Sequence, residues 1–285
     1  MTSRTAAERE VFELTGRRTP VHVLLRDVFR HRDLLVMMAR HDYRSRYRSA
    51  SLGLMWSVSL PLLQGVVIAI VFSHLVGGGR AKSYVPYVIV GMSAWSFLSQ
   101  TITSASTSIV DSGAIAGRIY FPRLLLPAIP ASANVPGLVI SLLIAEVIAL
   151  VTGTGLHVTL LFLPIVVLLA WLLVVSIGAV MSMAHVYSRD VRYVIQALTL
   201  ILFYAAPIIY GLSANSGRRA LPASLRYYVL ANPATGIVQF ARYSLTGHGD
   251  YLGRALLWTG GWTLLFLLVT LVLYSRFERV SVDRL

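Results

Sequence analysis

Long stretches without a charged side chain constrain this chain more than any other feature. A membrane-spanning helix needs about 20 mostly apolar residues. Windows that lack Asp, Glu, Lys and Arg are 49–79, 83–110, 124–188 (apart from Glu146), 193–217 and 255–275. The third window is too long for one helix, and its Gly153-Thr154-Gly155 predicts a turn. We therefore predict an all-α integral membrane protein whose six transmembrane helices lie near 54–76, 84–106, 132–152, 158–187, 193–211 and 255–274.

The composition agrees with this prediction. Hydrophobic residues make up 56% of the chain and charged residues only 13%, against roughly 25% charged residues in soluble domains. A water-soluble fold is therefore excluded. The chain has no cysteine, which excludes disulfides, thiolate metal sites and cysteine nucleophiles.

The distribution of basic residues predicts the orientation. If six helices cross, the N-terminal segment, residues 107–131 and 188–192 and the C-terminal tail share one side, which carries 18 Lys and Arg against 7 on the other. Because basic loops stay on the cytoplasmic side, we expect a multi-pass protein of the cytoplasmic (inner) membrane with both termini inside. No nucleic-acid-binding motif accompanies the arginines, so nucleic acid is not expected as a partner.

Two regions are neither span nor simple loop. Residues 1–50 are predicted to form a cytoplasmic N-terminal segment with an amphipathic interface helix over 21–38, and 51–285 form the six-span domain. Between the fifth and sixth spans lies an external helical segment, 212–254. Its charge-free run is broken at Asn232-Pro233, which predicts two short re-entrant-type helices near 221–230 and 234–245. These are candidates for an external lid.

The sequence offers no catalytic, cofactor or metal site. No two histidines stand at ligand spacing within a predicted span. The run Gly77-Gly78-Gly79-Arg80-Ala81-Lys82-Ser83 superficially resembles a phosphate-binding loop, but Ala81 replaces the glycine that such a loop requires. We therefore expect the chain to be no enzyme and to bind no ATP or Mg²⁺ itself. Any energy from nucleotide must come through a partner subunit.

Some side chains within the predicted spans suit a substrate pathway. Glu146 is the one acidic residue in a span, and we favour a structural or pathway-lining role for it over proton coupling. Aromatic rings stack on the apolar faces of sugars, although aromatic belts at membrane surfaces explain most of the aromatic residues. The candidates for a glycan passage are Trp56, Trp95, Phe97, Tyr204 and Tyr210.

Several motifs in series resemble one family. The first is Asp42-Tyr43-Arg44-Ser45-Arg46-Tyr47-Arg48 followed by Ser51-Leu52-Gly53. Next come Ile119-Tyr120-Phe121-Pro122-Arg123, then Tyr187-Ser188-Arg189-Asp190-Val191-Arg192 leading to Ala206-Pro207-Ile208-Ile209-Tyr210, and finally Asn232-Pro233 with Arg242. Over residues 30–285 the chain resembles the type-2 ABC exporter permeases of the polysaccharide and polyol-phosphate export family, which move O-antigen, teichoic acid or cell-wall galactan.

This resemblance implies a homodimer joined to two nucleotide-binding ATPase subunits, which exports a lipid-linked polysaccharide. It also implies that spans one, two and five line the passage and that the interface helix, residues 115–127 and residues 188–192 meet the ATPase. The residues implied in ATPase coupling are Arg118, Tyr120, Pro122, Arg123, Arg189 and Asp190. The alternative for these charges is that they merely follow the positive-inside rule.

The resemblance looks closest to galactan permeases that use a polyprenyl pyrophosphate lipid, with O-antigen exporters next. Such a lipid head needs cations, which Arg44, Arg46 and Arg48 would supply at a cytoplasmic entrance. Two other classes stay open. One is a membrane-embedded enzyme that processes glycans or transfers acyl groups, and the other is an ion-coupled flippase for lipid-linked glycans.

Overall fold

The computed structural model describes residues 30–47, 55–75, 81–112, 123–153, 155–212 and 221–277. Within these ranges the chain forms helices joined by turns, with short 3₁₀ segments at Arg123–Leu125 and Val158–Phe162. The α-helices are α1 (Arg32–Tyr47), α2 (Met55–Leu75), α3 (Ala81–Asp111), α4 (Ala128–Val151), α5 (Leu163–Tyr187), α6 (Val191–Ala205), α7 (Ala223–Ala231), α8 (Pro233–Thr246) and α9 (Leu252–Phe277). The predicted all-α class is confirmed.

Helix α3 is the centre of the bundle. It packs against α2, α4, α5, α6 and α8, and its Ile89 and Leu98 are fully buried in the main core. Small residues allow the closest approach, since a Cβ added at Gly178 of α5 would lie 2.5 Å from the Cβ of Ala105 on α3. Close packing at small residues is the usual way in which membrane helices associate.

The second half of α3 carries many hydroxyl side chains that bond to their own helix. The hydroxyl groups of Thr103, Ser106 and Ser108 donate to the carbonyls of Ser99, Thr103 and Ala105 at 2.8, 2.7 and 2.7 Å. Such bonds to the preceding turn satisfy polar groups without a partner helix. This half of α3 can therefore lie at membrane depth despite its polarity.

Four of the described helical segments are long and apolar enough to cross a membrane by length and composition. These are Met55–Phe72, Ala128–Val151, Val158–Tyr187 and Leu252–Tyr274. They correspond to predicted spans one, three, four and six. Predicted span two is the long but more polar α3, and predicted span five is α6, a helix of only 15 residues. The number of crossings therefore stays a prediction.

Helix α6 ends earlier than the predicted fifth span, which was placed at 193–211. Ala206 has φ −90° and ψ 141°, as expected of a residue before a proline, because the proline ring disfavours the helical conformation there. Pro207 also lacks the N–H that would continue the helix. The chain from 206 to 212 is accordingly not helical.

The two short helices predicted between the last two spans are present as α7 and α8. Asn232 separates them, and its side-chain oxygen accepts a hydrogen bond from the backbone N–H of Ala234 at 2.9 Å. This is a standard N-cap, with Pro233 in the first turn of α8. The break predicted from Asn232-Pro233 is confirmed, and α8 packs against α9, α3 and α5.

Helix α1 lies across one end of the bundle, which we call the α1 end. The amphipathic helix was predicted over 21–38, and the described residues place a helix over Arg32–Tyr47, so that the basic run after residue 39 is helical as well. Residues 21–29 lie outside the described residues. Leu35 and Met38 of α1 pack on a second buried cluster, which consists of Ile109, Leu126, Ile129, Met183 and Tyr274. We call the opposite end of the bundle, where α8 packs, the α8 end.

Candidate functional site

A groove of about 640 Å³ runs between α2, α3 and α6. Helix α3 forms its floor, and the other two helices form its walls. It is lined by Leu63, Gln64, Val67 and Ile68 of α2, by Met92, Trp95, Ser96, Ser99 and Gln100 of α3, and by Phe203 of α6. The three helices correspond to predicted spans one, two and five.

The groove combines aromatic surface with uncharged polar groups. The ring centroids of Trp95 and Phe203 lie 5.8 Å apart, with the rings tilted by 56°. The side chains of Gln64 and Gln100 are exposed, and each amide offers both donors and an acceptor. None of the lining side chains carries a charge. Among the residues that the structure describes, no group of three His, Asp or Glu side chains is placed to hold a metal ion.

Three of the six predicted pathway residues lie in or beside this groove. Trp95 lines it directly. Tyr204 follows Phe203, with the two rings 5.2 Å apart, but its side chain is 68% exposed. Tyr210 donates a hydrogen bond from its hydroxyl to the carbonyl of Tyr204 at 3.0 Å. These aromatic residues therefore form one region around α6.

The other three predicted pathway residues lie apart from the groove. Trp56 is at the start of α2, with its side chain partly exposed. Phe97 is buried and borders a much smaller polar pocket between α2, α3 and α4. Glu146 is buried in α4, 4% exposed, and neither of its carboxylate oxygens has a hydrogen-bond partner among the described residues. The structure does not bring these residues together with Trp95.

The arginines predicted at the lipid entrance differ in their contacts. Arg46 forms an ion pair with Asp42, 2.7 Å between Nη2 and Oδ2, and its Nη1 donates to Oδ1 of Asn134 at 3.2 Å. Its guanidinium thereby ties α1 to α4. Arg44 is exposed on α1, whereas Arg48 lies outside the described residues.

The predicted coupling residues map to the α1 end as far as they are described. Arg189 and Asp190 are exposed on the turn between α5 and α6, where the Asp190 carbonyl accepts from the backbone N–H groups of Tyr193 and Val194. Arg123 opens the 3₁₀ segment that leads into α4. Arg118, Tyr120 and Pro122 lie outside the described residues.

A comparison with known protein families finds a match over most of the chain. The family is described as ABC-2 type transporter, and it covers residues 33–246, which include helices α1 to α8. The chain belongs to the ABC-2 type transporter family. It is therefore a multi-pass membrane protein, as the apolar helices indicate.

Curated relatives of this ABC-2 chain include three proteins named O-antigen export system permease protein RfbA. The protein from Myxococcus xanthus is 24% identical over 190 residues, 67% of this chain and 73% of the relative. Two proteins from Klebsiella pneumoniae are 24% and 23% identical over 236 and 209 residues, 81% and 72% of this chain and 88% and 77% of the relatives. The chain is thus similar to permease subunits over most of its length.

Sequence reasoning missed the polar residues that line the groove of this ABC-2 protein. Ser96, Ser99 and Gln100 were not among the predicted pathway residues, and neither were Gln64 and Phe203. A signal for some of them was present, because Met92, Ser96, Ser99 and Thr103 recur at the spacing of one helical face. This spacing would have pointed to the face of α3 that forms the floor of the groove.

Proposed function

We propose that this ABC-2 protein is the membrane-spanning permease of an O-antigen-type export system, which moves a lipid-linked polysaccharide outward across the cytoplasmic membrane. Membership of the ABC-2 family and the similarity to proteins named as O-antigen export permeases support this proposal. The observation that carries it is the uncharged groove between α2, α3 and α6, which contains both aromatic and amide side chains.

The chemistry of the groove suits sugars. A pyranose or furanose ring has an apolar face that packs on aromatic rings such as Trp95 and Phe203. Its hydroxyl groups both donate and accept hydrogen bonds, as do the amides of Gln64 and Gln100 and the hydroxyl of Ser99. A sliding chain needs contacts that are easily exchanged, which neutral hydrogen bonds provide better than ion pairs.

The absence of charge among the lining residues favours a neutral glycan over a polyol-phosphate polymer, which carries one negative charge per phosphate. Within the neutral glycans, a galactan or an O-antigen chain on a polyprenyl pyrophosphate lipid fits the proposal. Arg44 is exposed at the α1 end and is available to the pyrophosphate, while Arg46 is held by Asp42 and Asn134.

The proposal includes two kinds of protein partner. ATP hydrolysis would take place in separate subunits that dock at the α1 end, where α1, the segment after Arg123 and the turn at Arg189 lie. A second copy of this chain would cover the open side of the groove. Both termini would then lie in the cytoplasm, in agreement with the distribution of basic residues.

The groove is tested by replacing its amides. We expect the double variant Gln64→Leu with Gln100→Leu to lower export of the lipid-linked glycan about tenfold, because each lost hydrogen bond contributes roughly 0.5–1.5 kcal/mol. Export is measured in cells that also produce the ATPase subunit, as the amount of polymer that reaches the outer side. Gln64→Asn with Gln100→Asn is the control, since it keeps an amide at both positions.

Unchanged export in the double variant would contradict the role of the groove. Chemical conversion of a lipid-linked sugar by the isolated chain would instead favour a membrane-embedded enzyme. Transport that is driven by a pH gradient and needs no ATPase would favour the ion-coupled flippase.

A further inference from the structure

The non-helical chain after α6 is held by an unusual set of side-chain hydrogen bonds. Four successive backbone carbonyls, those of residues 207–210, each accept a bond from a distant side chain. Arg242 donates from Nη1 to Pro207 at 2.6 Å and from Nη2 to Ile208 at 2.9 Å. The hydroxyl groups of Tyr84 and Tyr87 donate to Ile209 and Tyr210, each at 2.8 Å. These carbonyls have lost their helical partners and are satisfied entirely by α3 and α8.

Arg242 connects three parts of the fold at once. It lies on α8, yet it is only 2% exposed, and its guanidinium carbon is 3.3 Å from the centroid of the Tyr87 ring on α3. Its Nε and Nη2 also approach the Tyr87 carbonyl at 3.3 Å. A guanidinium is the one side-chain group whose planar fork of five donors can serve several carbonyls while it stacks on a ring.

The sequence of α3 leaves room for this guanidinium. Gly91 follows Tyr87 by one helical turn, and a Cβ at this position would lie 2.9 Å from Nη2 of Arg242 and 3.2 Å from the side chain of Ile208. Tyr84, Tyr87 and Gly91 share one face of α3 at spacings of three and four residues. This face is therefore shaped to receive both Arg242 and the end of α6.

The contacts of Arg242 with Tyr87, Pro207 and Ile208 lie at the α8 end of the groove. Along α3, the groove residues Met92 and Trp95 directly follow Gly91. Along α6, the groove residue Phe203 precedes Pro207 by one turn. The floor of the groove and its α6 wall therefore both end at these contacts of Arg242, and α6 cannot separate from α3 at this end unless the bonds of Arg242 break.

We propose that Arg242 is a positioning residue that latches the end of α6 to α3 and α8 and so holds the α8 end of the groove closed. The proposal rests on the proposed function in that the groove is taken as the glycan passage with its α8 end on the outer side. Passage of the polymer then requires release of this latch, that is, a change from the packed arrangement of α3, α6 and α8 to one in which they are separated.

The latch is tested by cysteine labelling in the complex with the ATPase subunit. The chain contains no cysteine, so Ser99→Cys places a single thiol in the groove, eight residues and about 12 Å beyond Gly91 along α3. We expect Arg242→Met and Arg242→Lys to raise labelling of this thiol by a membrane-impermeant maleimide, added from outside, about tenfold or more. Lysine keeps the charge but cannot bond both carbonyls in one plane.

Arg226→Lys is the matched control. Arg226 lies on the neighbouring α7 and contacts Tyr251 and Leu221, not α3 or α6, so labelling should equal that of the Ser99→Cys parent. Unchanged labelling in both Arg242 variants would overturn the proposal. If neither variant accumulates in the membrane, Tyr84→Phe with Tyr87→Phe decides, because it removes two of the carbonyl bonds and keeps the rings.

A separate cysteine distinguishes failure of the latch from failure of the proposed function. His248 is exposed at the α8 end, and His248→Cys should react with the same reagent from outside. If the thiol of His248→Cys reacts only with reagent added from inside, the proposed orientation is wrong. The Arg242 variants are then labelled with reagent added from inside, and the same increase in labelling is expected.

Discussion

At the scale of single residues, Glu146 shows how burial limits the roles of a charged group. Its carboxylate oxygens are buried and have no hydrogen-bond partner among the described residues, and its side chain does not line the groove. A proton relay needs neighbouring groups that pass the proton along. A structural role for Glu146 in α4, rather than the coupling of transport to protons, stays a prediction.

This interpretation predicts the outcome of a conservative change. Glu146→Gln should leave ATP-dependent export within about twofold of the parent, since glutamine keeps the shape of the side chain and removes only its ionisation. Export in cells and the amount of protein in the membrane are the measurements. Loss of export with a normal amount of protein would show that ionisation of Glu146 matters to transport.

The sequence did not predict well which individual side chains line the groove. Trp95 lines the groove, but Phe97, only two residues away, faces α4 because successive residues of a helix point in different directions. An aromatic residue can serve a belt, a core or a pathway, and composition does not distinguish these uses. The helical stripe of Ser96, Ser99 and Thr103 was the more specific signal.

At the scale of helices, close packing of small residues sets the distance between α3 and α5. Gly178 faces Ala105 so closely that an added methyl group has no space. We expect Gly178→Ala to lower the free energy of unfolding of the purified complex by roughly 1–3 kcal/mol, the usual cost of overpacking. Gly260→Ala is the matched control, because a Cβ at Gly260 of α9 meets nothing within 4 Å.

The comparison between these two glycines can be read by fluorescence-monitored unfolding. Gly260→Ala should be neutral or slightly stabilising, as alanine favours helix over glycine by up to about 1 kcal/mol. Equal stability of the two variants would mean that α3 and α5 can move apart without cost, which would contradict the close packing described above.

The positions of the long apolar helices could be predicted well from the sequence, but the ends of α1, α3 and α6 could not. Charge-free windows and the turn at Gly153 locate α2, α4, α5 and α9, because the cost of burying charge in lipid acts locally along the chain. The end of α6 at Ala205 depends on Pro207, which is visible in the sequence, and on Arg242, which is distant in it. Only the folded chain shows that a buried arginine replaces the missing helical bonds.

At the scale of the whole molecule, most of the surface of α6 is exposed in a single copy of the chain. Ile195 is its one buried residue within the described structure, and apolar side chains such as Leu198 and Ile201 are exposed on the side of α6 that points away from Phe203. Lipid covers apolar side chains, but it cannot complete a passage for a polar polymer. The proposed homodimer would supply the missing wall.

A cysteine cross-link tests this arrangement. Leu198→Cys should form a disulfide between two copies of the chain under mild oxidation, since the exposed face of α6 would meet its counterpart in the second copy. Leu143→Cys on α4 is the matched control, because Leu143 is 46% exposed and Leu198 is 45% exposed, but Leu143 lies away from the groove. The readout is the fraction of dimer on a non-reducing gel. Equal cross-linking at both positions would contradict a dimer interface along α6.

The shortness of α6 has a consequence for the surrounding bilayer. Its 15 residues give a rod of about 22 Å, while the hydrocarbon layer is about 30 Å thick. Where lipid rather than a second copy borders this helix, the bilayer would thin to match it, at a cost of a fraction of a kcal/mol per ångström. A polar head group beside α6 would therefore cross a thinner hydrocarbon layer than it would beside the longer helices of the protein.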